Sequence, residues 1–179
     1  MTTTTACETK PVERRKLDFH DFATPMQEID RLHRFGYRKA GNWDLRQICE
    51  HLALVMEGTL DGFAFAPWSF VWRRIFGPVA IRYTVWTRGM KQGLQCPDPS
   101  FAPRPQGDVT EAVERCKRAF QRVAVHQGEF HAHPVLGYIT PEDWRQIHLI
   151  HAAHHLSFLI PNETVEQPAE SRQLCEKSN

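Results

Sequence analysis

The stretch "RQIHLIHAAHHLSFLIP" (residues 145–161) places His148, His151, His154 and His155 within eight positions of a chain that has ten histidines in all. Neutral imidazoles bind divalent transition metals and carry protons near neutral pH, and either chemistry would concentrate them. On a helix each residue turns about 100°, so His151 and His155 lie one turn apart on one face, with Cβ atoms roughly 5–6 Å apart. Rings so placed can converge on one ion at about 2.0–2.1 Å. Trp144, Ile147 and Phe158 fall in the same sector, which turns the pair toward the core. A further ligand then comes from another helix. His51, in "ICEHLALV", lies three after Ile48 and four before Val55, on the apolar stripe of its own segment. Three imidazoles leave a position for water, as catalytic metal sites do and closed structural sites do not. On spacing alone, metal ligands and hydrogen-bonded core histidines stand as equal alternatives.

The surrounding candidates are read more plainly. His148, one turn before His151, reads as a boundary histidine able to hydrogen-bond to the site, and His154 as a flanking residue. Trp144 and Phe158 read as pocket walls. His126, His131 and His133 precede the last helix and read as solvated loop residues. Glu50 and Glu57 point away from His51 around their helix and read as surface charges. There is no HExxH, P-loop, GxSxG or GxGxxG. A zincin protease, a nucleotide triphosphatase, a nucleophile-elbow hydrolase and a dinucleotide-binding enzyme therefore lack their essential residues. No general base is identified.

Four helical segments must position these residues. The first follows "TPMQ", with Thr24 as cap, Pro25 at the first position and Gly36 as stop. The second follows "NWD", with Asn42 as cap and Leu45, Ile48, Leu52 and Val55 as its stripe, and fades near Gly58–Gly62. The third follows Asp108, repeats apolar residues at helical spacing through Val123, and stops at Gly128. The fourth is capped by Thr140 ahead of Pro141 and runs to about Ile160. No alternation of strand type competes. The fold class expected is all-α: a four-helix bundle with a long crossover between helices 2 and 3. The middle of that crossover, about 69–92, is expected to hold an extra helix. Its arginines (Arg73, Arg74, Arg82 and Arg88) read as one solvated face, and "CPDPSFAPRPQG" as a Pro-rich loop. Residues 1–16 and 161–179 read as flexible tails around a domain spanning 17–160.

Composition narrows the partners. A net charge of +1 offers no dominant field for nucleic acid or an anionic membrane. Five scattered cysteines without a CxxC suit reduced thiols, with Cys49 and Cys116 as small core residues. The N-terminal stretch has no apolar leader, and charges interrupt the most apolar region, 63–86, so no membrane span and a cytoplasmic location are expected.

The segments "NWDLRQICEHLAL" and "HPVLGYITPEDWRQIHLIHAAHHLSF" resemble, respectively, the Trp-containing second helix and the last-helix motif of the DinB/YfiT-like metalloenzyme superfamily, in a branch of unknown function. The resemblance covers most of residues 17–160. It implies a four-helix bundle whose metal triad falls on His51, His151 and His155, a divalent ion such as Zn²⁺ or Ni²⁺, and a homodimer. It also implies a small-molecule substrate, among them low-molecular-weight thiols, and S-transferase or hydrolase chemistry. The alternative is a metal-binding or dimerisation bundle without catalysis. This chain reads "LSF" after its last histidine where many members have a polar "RGQ", and Phe158 makes the pocket more apolar.

Overall fold

The computed structural model describes residues 13–63, 69–91, 101–104 and 106–162, and these are mostly helical. In chain order the elements are α1 (Ala23–Phe35), β1 (Tyr37–Lys39), α2 (Leu45–Asp61), α3 (Phe70–Thr87), α4 (Val109–Val125), α5 (Pro141–Leu156) and β2 (Leu159–Pro161). Helices α1, α2, α4 and α5 are the four segments expected from caps and apolar spacing. Helix α3 is the extra helix of the crossover.

The cores of these helices meet in one cluster. Leu52 and Met56 of α2 pack with Val113 and Phe120 of α4, joined by Ile29 of α1 and Leu156 of α5. The most extensive helix contact is between α2 and α4, while α5 lies against α1, α2 and α3. Cys49 and Cys116 are free thiols with no exposed surface, as expected of small core residues. Among the described residues, no helix is long and apolar enough to cross a membrane.

Four helix ends differ from the sequence reading. The cap position of α1 falls on Phe22 rather than Thr24, and Asp21 just before it accepts the Thr24 backbone N–H at 2.8 Å and the Thr24 hydroxyl at 2.7 Å, so that hydroxyl is already committed. Asp44, rather than Asn42, caps α2. It accepts the Gln47 N–H at 2.8 Å, and the Gln47 side chain accepts the Asp44 N–H at 3.0 Å, a reciprocal capping box. Helix α5 keeps its Thr140 cap but ends at Leu156, not near Ile160, because the chain turns at Ser157 into a strand. Helix α4 likewise ends at Val125, before Gly128.

The strand is the larger correction, since none was expected. β2 pairs antiparallel with β1, with Tyr37 opposite Pro161 and Lys39 opposite Leu159. Three residues a side are too few for alternation to register in sequence. The small sheet has a positional consequence. Gly36, at φ 73°, turns the chain from α1 into β1, and the Tyr37 hydroxyl accepts the Leu45 N–H at 2.9 Å. The N-terminal end of α2 is thereby tied to the C-terminal end of α5, and these are the two helices that carry the histidines. Of the tail expected over residues 1–16, residues 1–12 lie outside the described residues and 13–16 are described. The Arg15 N–H bonds the Ser157 carbonyl at 3.0 Å, and its guanidinium pairs with Glu28 at 2.6 Å.

Helix α3 is not the solvated amphipathic helix its arginines implied. It meets the rest of the protein through a narrow strip that includes Gly77 and Ile81, where a side chain at Gly77 would collide with the Leu136 backbone carbonyl. Its outward face presents Phe70, Trp72, Ile75, Val79, Tyr83 and Trp86, the last 81% exposed. Arg88 does not stand free but pairs with Asp18 at 2.7 Å and donates to the Phe19 carbonyl at 2.6 Å. Of the Pro-rich run, residues 96–100 and 105 lie outside the described residues; Phe101 to Arg104 pack onto α2, with consequences for the site.

Candidate metal centre

His51 sits midway along α2, while His151 and His155 occupy successive turns of α5. Their Nε2 atoms converge: His51 to His151 at 3.2 Å and His151 to His155 at 2.9 Å. His51 and His151 are buried and His155 half-buried, and the three donor atoms lie within 4.8 Å of one another, close enough to hold a metal ion. Among the described residues this is the one such group of histidine, cysteine or carboxylate side chains.

Proton accounting shows what the convergence requires. The other nitrogen of His51, Nδ1, lies 2.8 Å from the Phe101 carbonyl. A carbonyl can only accept, so Nδ1 carries the hydrogen and Nε2 presents a lone pair. The His151 nitrogen takes part in both remaining contacts. With a hydrogen it can donate properly to one neighbour, and without one it needs two donors while His51 offers none. The group is satisfied by a shared cation. A proton is opposed by burial, which, ahead of the mutual repulsion of the rings, holds His151 and His155 well below the ordinary imidazole pKa. His51 is lowered too, by burial, with the Phe101 carbonyl working in the opposite direction. A metal ion meets the same need without a charged imidazole. Four bonds of about 2.0–2.1 Å on a tetrahedron separate nitrogens by roughly 3.3–3.4 Å, a few tenths of an ångström beyond the two contacts of His151, while all three nitrogens stay within 4.8 Å. The residues therefore fit such an ion.

The second layer differs more from the sequence reading. Trp43, immediately before the α2 cap, stacks on His155 with ring centroids 5.3 Å apart and lies 5.0 Å from His51. It walls the group, the position expected of Trp144. Trp144 is buried about two turns before His151 on α5, stacked on His148 at 5.2 Å, with its ring contacts on His148, His133 and Phe63 rather than on the three histidines. The one sequence signal for Trp43 was its place in the motif beside the cap.

Glu50 also differs from the sequence reading. It is 6% exposed rather than a surface charge. Its carboxylate accepts from Arg46 at 3.0 Å, from the Arg104 backbone N–H at 3.0 Å and from Arg104 Nε at 2.8 Å, while Arg46 also donates to the Arg104 carbonyl at 2.8 Å. This clamp fixes residues 101–104 against α2 and so holds the Phe101 carbonyl on His51. Helical spacing alone puts Glu50 away from its neighbour; only the returning crossover makes it a support. Glu57 is half-buried against Arg115, at 2.9 Å.

The remaining histidines divide in two. His148 is fully in the core, not at a boundary. Its Nε2 meets the Thr59 hydroxyl at 3.1 Å, which in turn donates to the Met56 carbonyl, and burial lowers its pKa to about 3. His133 is no solvated loop residue either. Its Nδ1 accepts the Val135 and Leu136 N–H groups at 3.1 Å each, and burial, followed by the charge of Arg73, brings its pKa to about 4. His131 is exposed, as expected, while His126 is half-buried with its ring 4.7 Å from that of Phe130. His154 stands edge-on to His155 at 5.0 Å and to Phe158 at 5.6 Å, with a buried Nδ1 that has no hydrogen-bond partner.

A family model described as a protein of unknown function (DUF1569) matches residues 12–162. No curated protein and no solved structure matches the chain.

Proposed function

The chain belongs to the DUF1569 family, whose description supplies no activity, and from the site itself we propose a metal-dependent enzyme in which His51, His151 and His155 hold a divalent ion, Zn²⁺ or Ni²⁺. The observation that carries this reading is the meeting of three Nε2 atoms at 2.9 and 3.2 Å with no arrangement of hydrogens that satisfies them. The proposal includes a DinB-like four-helix bundle of α1, α2, α4 and α5, with α3 in the crossover, and thiol-dependent S-transfer or hydrolysis of a small molecule as the reaction class. When bound, the ion supplies Lewis acidity, bringing the pKa of water or a thiol at its open position toward neutrality.

The protein's own residues set the conditions for that chemistry. The Phe101 carbonyl fixes the His51 tautomer, as hydrogen bonds to the second ring nitrogen do for metal-binding histidines generally. Trp43 covers the His51–His155 side and excludes water there. His154, beside His155, is neutral near pH 7 because burial lowers its pKa to about 4.

Metal analysis of the protein purified without chelator or affinity metal tests the reading. About one equivalent of ion is expected, as for a three-histidine site, and is lost in the His151→Ala/His155→Ala variant. Absence of ion from both proteins, even after incubation with Zn²⁺ and Ni²⁺, would make these histidines packing residues. Metal-dependent turnover that survives His51→Ala would remove the reaction from this site.

A further inference from the structure

His51 and His151 are buried and Trp43 stacks on His155, so the less buried side of the three-histidine group is that of half-buried His154 and Phe158. Arg14 lies on that side. Its guanidinium sits over the Phe158 ring, 4.8 Å from the centroid, and its charge is close enough to act on both His154 and His155. Among the described residues Arg14 has no carboxylate partner, whereas its neighbour Arg15 is paired with Glu28. Of the acids adjoining these segments, Glu50 pairs with Arg46 and Arg104, Asp44 caps α2, and Glu13 is exposed. The donor set itself contains imidazoles only.

A divalent ion on three neutral ligands would keep its two positive charges, and Arg14 adds a third at the rim. No anion of the protein compensates them among the described residues. Positive charge held in a partly desolvated place is costly unless an opposite charge arrives with the ligand. A guanidinium beside an aromatic ring still has five N–H donors, a fork that matches a carboxylate. We infer that the ligand of this centre is a small organic anion, its carboxylate held by Arg14 while its metal-seeking end enters the open coordination position. This rests on the metal reading above and gives it a substrate class; Arg14 is the specificity-determining residue.

The test uses the full-length protein loaded with Co²⁺, whose near-ultraviolet thiolate band reports a bound thiol without any turnover. Two probes share a thiol and differ in charge: 3-mercaptopropionate and neutral 2-mercaptoethanol. Wild type is expected to bind the carboxylate probe about tenfold or more tightly, the range of hydrogen bonds to charged groups. Arg14→Gln removes that preference without weakening Co²⁺ binding, while Arg14→Lys, which keeps the charge without the fork, retains part of it. The same preference in wild type and Arg14→Gln would overturn the inference and leave the metal reading standing. Failure of wild type to take up Co²⁺ would overturn both.

Discussion

Metal and protons compete for the same imidazole lone pairs, so acidification from pH 7.5 to 6.0 measures how the three histidines are held. Three imidazoles with an ordinary pKa of about 6.5 would become substantially protonated over that interval, and the affinity of such a site would fall about fiftyfold, or ~2.4 kcal/mol. Here burial, ahead of the neighbouring rings, places His151 and His155 well below 6.5, and His51 is lowered as well. The folded, metal-free site therefore carries few protons to displace at pH 6.0. The expected loss of affinity is within about threefold, a few tenths of a kcal/mol per decade of acidity. Calorimetric titration with Zn²⁺ in a weakly coordinating buffer at both pH values reads this directly, with His51→Ala as the control for binding elsewhere. A fiftyfold fall would refute the reasoning: it would mean that the three rings take up protons as solvated histidines do, and that the desolvation inferred from their packing is absent in solution.

The same sign governs His148 as a stability determinant. Its pKa of about 3 in the folded protein lies below the unfolded value, so its contribution is complete above about pH 6.5 and is lost as the pH falls toward 3. By pH 5 the loss is about 2 kcal/mol. His148→Phe keeps the stacking on Trp144 and removes the titration, so its unfolding free energy in urea should fall about 2 kcal/mol less than that of wild type between pH 7.5 and 5; equal falls would contradict the assignment. Glu50→Gln loosens the clamp that keeps the Phe101 carbonyl on His51, and Zn²⁺ affinity is expected to drop about 10- to 100-fold, the usual effect of losing a residue that orients a metal ligand. Unchanged affinity in a folded Glu50→Gln protein would show that the clamp is structural only. The outward face of α3 exposes apolar surface on the order of 1,000 Å², comparable with the ~800 Å² each partner contributes to an ordinary interface. We propose that two copies pair through it, so Val79→Glu should convert a dimer to a monomer in sedimentation; a wild-type monomer would end that proposal.

Much of this arrangement was legible before the fold was known, and the parts that were not share a cause. The histidines of α2 and α5 could be found because helical periodicity is local: three or four residues suffice to place His51 beside Ile48 and Val55, or His155 beneath His151. Which end of a helix a polar residue caps is a closer contest. Thr24 and Asn42 lost to Asp21 and Asp44, whose carboxylates reach the backbone while the rival side chain is already engaged or one step too early. What periodicity cannot reveal is a partner that arrives from a distant part of the chain. Glu50 looks like a surface charge until Arg104 returns 54 residues later to cover it, and Phe101 looks like a loop residue until its carbonyl meets His51 across 50 residues. The three-residue strands escaped notice for the same reason, since β1 is defined by β2 more than 100 positions away. The ligands of the centre were thus readable from two helices taken singly, whereas the groups that fix their tautomer, wall them and set the charge at the rim all come from the crossover and the segments before α1 and α2. Sequence periodicity identified what can bind an ion; the long-range contacts decide what binds beside it, and this is why the substrate class follows from Arg14 and Phe158 rather than from the histidine motif.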